Sequence, residues 1–234
     1  MEIYGKKLFI KLIKEVMLPY METQGFKKKG VGDFVRSGTK GIEYFSIDGR
    51  STRYSNCEFN IGTYFPKYRR YYKELFDDSN VVVQFGFLTI RAHPKNNTYF
   101  EELGIPQNIG SLYGIEDLDQ ASEIAKTVFN KVALPYYQKV NGLLDFRNEQ
   151  LRDFKEDISD VKELKGEITW PHSSQVLEIL VITKIFEPEK LKDYWDLFLE
   201  IDPLTFNKAI QEIAINGLKR IKPDEAKELL KSEK

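Results

Sequence analysis

The chain has 234 residues, 41% hydrophobic and 13% aromatic, enough to build a core and to exclude a chain disordered throughout. Acidic and basic residues nearly balance, 36 against 35, for a formal net charge of −1, which weakens a nucleic-acid-binding role for the whole chain. A single cysteine excludes an intramolecular disulfide, and no apolar run approaches the ~20 residues a membrane span needs.

The charge is unevenly distributed. Residues 1–75 carry 15 Lys+Arg against 8 Asp+Glu, a formal +7, and residues 76–234 carry the complementary 20 against 28, a formal −8. Such segregation fits halves that dock on each other or present opposite faces to partners, and equally charges that are solvated and intermixed in space. Lys6, Lys7, Lys11 and Lys14 interrupt the N-terminal stretch, which also lacks small residues at a cleavage site. It therefore does not read as a secretory signal, and with the lone Cys57 the expected compartment is the cytoplasm.

From Ile3 to Thr23, Phe9, Leu12, Ile13, Val16, Tyr20 and Met21 fall on one helical face. Pro19 lies inside that pattern and predicts a kink or an early end near Leu18, with Gly25 as a C-terminal cap. The period then changes. Phe34–Arg36, Ile42–Ile47, Asn56–Phe65 and Val81–Arg91 are rich in aromatic and β-branched residues and read as strands, paired antiparallel because their connections are short. In the third, Cys57, Phe59, Ile61, Thr63 and Phe65 share a face that helices should cover. The fourth is apolar on both faces and reads as central.

Between the third and fourth strands, 66–76 reads as an amphipathic helix. Tyr68, Tyr71, Tyr72, Leu75 and Phe76 lie on one side, with Lys67, Arg69, Arg70, Lys73 and Glu74 on the other. A long connection from His93 to about Ile115 follows, then a second long helix over 116–140 with Ala121, Ala125, Val128, Phe129 and Val132 in its stripe. Its end, Leu134-Pro135-Tyr136-Tyr137, echoes Leu18-Pro19-Tyr20-Met21; the match is too short for a repeat and suits two similarly kinked helices on one sheet. Beyond 145 helical spacing dominates. Val176–Ile182 fits either a strand or a buried helix, 153–167 reads as a linker, and 225–234 as a charged tail that frays. The expected architecture is α+β: an antiparallel sheet of about four strands flanked by two long helices over 1–145, then a mostly helical region over 146–234.

The run Gly25-Phe26-Lys27-Lys28-Lys29-Gly30, followed by Phe34 and Arg36 and then by Phe59-Asn60-Ile61-Gly62-Thr63-Tyr64, resembles the bacterial domain of unknown function numbered 4304. That family has a leading helix, a GFKKKG turn, a strand of FxxNxG flavour and a late helix ending in Leu-Pro, as Leu134-Pro135 does here. The resemblance covers about residues 1–145. It implies an α+β fold and brings no activity or functional residues to transfer, although some members look like parts of toxin–immunity neighbourhoods.

Several residues are candidates for chemistry. Lys27, Lys28 and Lys29 between two glycines concentrate positive potential, and Arg69 and Arg70 interleave with tyrosines, so the five together form a candidate basic patch for phosphate or single-stranded nucleic acid. The turn lacks Walker spacing, and helical spacing puts the tyrosines and cations on opposite faces. His93, with Arg91 and Tyr99, offers polar groups for a pocket between the sheet and the 93–115 connection. His93 and His172 with one cysteine make no zinc spacing, and Cys57 mid-strand reads as a buried, inert thiol. The acidic groupings Glu101-Glu102, Glu116-Asp117-Asp119 and Asp157 with Asp160 are of the kind glycosidases and metal sites use, but the second is better placed to cap a helix. Trp170-Pro171-His172-Ser173-Ser174 reads as the cap of a helix starting near Ser174.

No catalytic residues, metal or cofactor are assigned. The expected function is a protein-binding module of immunity or regulatory type, without catalysis of its own, whose partner is another protein. The alternatives are a small-molecule site or enzyme at Arg91, His93 and Tyr99, and nucleic-acid binding through the basic half.

Overall fold

The computed structural model describes residues 2–38, 41–48, 58–76, 88–90, 118–152, 173–201 and 206–231. The chain divides into two compact units. The first takes residues 1–38, 42–64 and 87–139, and the second takes 39–41, 65–86 and 140–234.

The first unit opens with helix α1 (2–23), which runs α-helical over Glu2–Lys11, π-helical over Leu12–Met17 and α-helical again over Leu18–Thr23. Proline lacks an amide hydrogen, and its ring crowds the carbonyl one turn back. The wider turn ahead of Pro19 accommodates both effects: the Leu18 amide donates five residues back, to the Ile13 carbonyl. The helix therefore continues to Thr23 instead of ending near Leu18. It stops at Gly25, whose φ of 79° suits glycine. The Phe26 amide donates to the Met21 carbonyl (2.9 Å) and the Gly25 amide to Glu22 (3.0 Å), while Phe26 and Met21 are both buried. This is a Schellman closure with its hydrophobic contact.

Five antiparallel strands follow in the order β1 (Lys27–Lys28), β2 (Asp33–Ser37), β3 (Ile42–Asp48), β4 (Glu58–Tyr64) and β5 (Leu88–Ile90). All four expected ribbons contribute strands, and β1 is an addition. Register places Phe34 opposite Phe45 and Phe45 opposite Ile61, with Ile47 opposite Phe59, so these buried side chains share one face. Of the fourth ribbon, 81–87 and Arg91 lie outside the described residues. Among the described residues β5 pairs only with β4, at an edge rather than in the centre.

Helix α3 (118–139) covers the apolar face of this sheet. It repeats the α1 device, with a π-helical stretch at Phe129–Ala133 before Leu134-Pro135, and the Leu134 amide donates to the Phe129 carbonyl. Phe129 is fully buried at the centre of the core, with ring contacts to Phe45 (5.2 Å), Phe26 (5.6 Å) and Tyr20 (5.8 Å). The Tyr20 hydroxyl also donates to Asn130 Oδ1 at 2.7 Å. The matching Leu-Pro ends are therefore two helices built alike within one core.

The elements described in the second unit are all helical: α2 (Pro66–Leu75), α4 (143–152), α5 (Ser173–Phe186), a 3₁₀ turn (Pro188–Lys190), α6 (Leu191–Ile201), α7 (Lys208–Lys219) and α8 (Pro223–Lys231). Val176–Ile182 is helix. It belongs to α5, where Val176, Leu177, Ile179, Leu180, Val181, Ile182 and Ile185 are all buried, as expected of a helix surrounded by others. Asn207 caps α7, its Oδ1 accepting from the Ala209 (3.1 Å) and Ile210 (3.3 Å) amides. The expected charged tail is instead α8, which buries Ala226 and Leu230. Helices α2 and α7 approach closely at Gly217, where an added Cβ would lie 2.3 Å from the Phe76 ring. Arg220 Nη1 donates to the Leu75 carbonyl at 2.9 Å, satisfying a terminal carbonyl of α2.

Candidate functional site

Most of the residues singled out by sequence do not converge. Arg91, His93 and Tyr99, with Cys57, His172, Glu101, Glu102, Glu116, Asp117, Asp157 and Asp160, lie outside the described residues. The basic patch divides between units: Lys27, Lys28 and Lys29 belong to the first, Arg69 and Arg70 to the second. Lys27 and Lys28 form the exposed edge strand, where lysines discourage pairing with another chain. Arg70 is exposed on α2. Arg69 is not on the solvent face. It lies only about 60° around the helix from buried Tyr72, and its long stem carries the guanidinium inward.

Arg69 leads to a buried polar layer in the second unit. Its Nη1 is 3.9 Å from Glu178 Oε1 on α5, and Glu178 Oε2 accepts from Gln150 Nε2 on α4 at 2.7 Å. Glu178 is only 5% exposed. Burial pushes its carboxyl up to about 7, against partial relief from the Gln150 hydrogen bond and the Arg69 charge. Tyr68 and Tyr72, buried beside it, are held well above the usual phenol range, first by burial and then by the Glu178 charge. One turn or more along α5 lies a second set. Arg147, 3% exposed, pairs with Glu187 at 2.7 Å, donates to Thr183 Oγ1 at 3.3 Å and sits 5.3 Å from the Tyr194 ring. Hydrogen bonds from Lys190 and then Arg147 hold the Glu187 carboxyl below the usual range. The two sets link α2, α4, α5 and α6.

What the second unit offers to the outside is a groove. Leu191 and Trp195 come from α6, Ile215 and Leu218 from α7, and Lys184 and Lys219 complete the lining of about 430 Å³. Leu191 and Trp195 stand one turn apart. Leu199 continues their row a turn further and is 37% exposed, while Ile215 is 40% exposed. Behind the groove the Trp195 ring packs edge-on against buried Phe206 at 4.7 Å, which fixes the wall. The spacing of 191, 195 and 199 is present in the sequence, but so is Phe198, and periodicity alone does not separate the row facing the core from the row left outside.

Among the described residues no group of His, Cys, Asp and Glu could hold a metal ion, and no helix is long and apolar enough to cross a membrane. No protein-family model, curated protein or solved structure matches the chain.

Proposed function

We propose that the chain is a protein-binding module, regulatory or of immunity type, working in a reducing cytoplasm without catalysis of its own, and that its second unit makes the contact. The observation that carries this reading is the groove between α6 and α7. Large apolar side chains line it at helical spacing, and Ile215 and Leu199 stay exposed although the neighbouring helices bury their other apolar faces. Open grooves of this kind seat a partner's surface, whereas small-molecule sites enclose most of their ligand. The Arg147–Glu187 ion pair and the Gln150–Glu178 hydrogen bond tie the supporting helices together, which is the pre-organisation a binding surface needs. Kinship with family 4304 over residues 1–145, on the strength of the GFKKKG turn and the FxxNxG strand, belongs to the same proposal.

The test is a parallel pull-down from the native host with the unaltered chain and with Ile215→Glu, at low and at physiological salt. A partner retained by the first and lost by the second is the expected result. Nothing recovered above background at either salt, or recovery indifferent to Ile215, overturns the reading.

A further inference from the structure

From the residues of the groove we infer that its occupant is an amphipathic helix of a partner protein, with leucine-like residues along one face and carboxylates flanking them; this inference rests on the protein-binding reading above. The apolar row on α6 at 191, 195 and 199 spans two turns, about 12 Å, and α7 faces it with Ile215 and Leu218. A helix presenting apolar residues at i, i+4 and i+7 can seat the first of them against Leu191, Trp195, Ile215 and Leu218 and carry the row on over exposed Leu199 beyond the groove.

Charge decides which helix. The cations lining the groove are Lys184 and Lys219, and among the described residues neither has a carboxylate within ion-pair distance. Their neighbours differ: Lys190 is paired with Glu187, Lys192 with Asp196, and Lys222 with Glu225. On α6, Asp196 is engaged by Lys192, and helical spacing puts Asp193 and Glu200 on the side away from Leu191 and Trp195. Glu212, exposed one turn before Ile215 on α7, is not part of the lining, so Lys184 and Lys219 give the lining a positive charge within a half of the chain that is net negative. A basic helix would meet like charge at both lysines. An acidic one gains two rim pairs, which steer the approach and fix its register.

The test uses the full chain carrying Trp170→Phe, so that Trp195 is its single tryptophan. Trp195 fluorescence is titrated with designed helices of about 18 residues bearing leucines at i, i+4 and i+7 and flanked by glutamates or, in a second peptide, by lysines. The acidic peptide is expected to bind about tenfold more tightly than the basic one, the swing two rim pairs supply. Lys184→Glu with Lys219→Glu should invert the preference without altering the far-ultraviolet circular dichroism. Equal affinities, a preference that survives the charge reversal, or response to neither peptide overturns the inference. So does a Trp195 response to decanoate alone, or a dimer of this chain dissolved by Ile215→Glu. A pull-down that still depends on Ile215 after such a result leaves the protein-binding reading standing, and one that recovers nothing removes both.

Discussion

Burying Glu178 with one amide donor, and with a guanidinium 3.9 Å away, leaves its carboxyl under-solvated, and its folded-state value near 7 is the consequence. The effect on stability has a definite sign. Below the ordinary value of 4.5 both folded and unfolded chains hold the proton; between 4.5 and about 7 the unfolded chain has released it while the folded chain retains it. Glu178 therefore contributes fully at low pH, and that contribution is lost as pH rises through about 7, by on the order of 3 kcal/mol. Glu178→Gln removes the titration, and its amide can also donate to Gln150 Oε1, which is buried without a partner among the described residues. Urea unfolding should show the variant's advantage over the native chain to be larger at pH 8 than at pH 5 by about that amount; equal differences at both pH values contradict the assignment. Thr63 offers a simpler case, since its buried hydroxyl also has no partner among the described residues, so Thr63→Val should be neutral or slightly stabilising in the same assay. At this scale the sequence was a partial guide. Lys27 and Lys28 are exposed on the edge strand, but a charged residue at the boundary of an apolar stripe, as Arg69 is, can turn either way. Its direction depends on a carboxylate 109 positions later in the chain.

Elements were legible wherever one face was apolar and the other wet. The strands over Phe34–Arg36, Ile42–Ile47 and 58–64 and the long helices each show a period of 2 or 3.6, because half their side chains face a core. Two helices were obscured for opposite reasons. Helix α5 is buried on every side over residues 176–183, so it has little period to read, and α8 rests on little more than Ala226 and Leu230 among charges. The π-helical stretches ahead of Pro19 and Pro135 were visible only as proline conflicts, since the chain resolves the conflict by widening a turn rather than by stopping. Two glycines make these joints testable. Gly25→Ala must hold a side chain at φ 79° and should cost about 1 kcal/mol in denaturant unfolding. Gly217→Ala forces a Cβ against the Phe76 ring and should cost about 1–3 kcal/mol, lowering the unfolding midpoint. Tolerance of Gly217→Ala without loss contradicts the close approach of α2 and α7.

For the whole molecule, the α+β class followed from the change of period after residue 30, whereas the division into units did not. The segment forming α2 lies between β4 and β5 in the chain yet belongs with the helices after residue 140, a long-range pairing that local pattern cannot express. The groove was out of reach for the same reason, because its lining is drawn from three helices and only their packing separates its row from the core. The claim that this groove is where the protein works is tested most directly by site-specific photo-crosslinking in the native host. A benzophenone amino acid is placed at Ile215 and, as a control, at Val31, which is 59% exposed in the first unit. The prediction is a discrete crosslinked partner from position 215 that disappears with Lys184→Glu and Lys219→Glu and is missing from position 31. The same products from both positions, or none from 215, would contradict it.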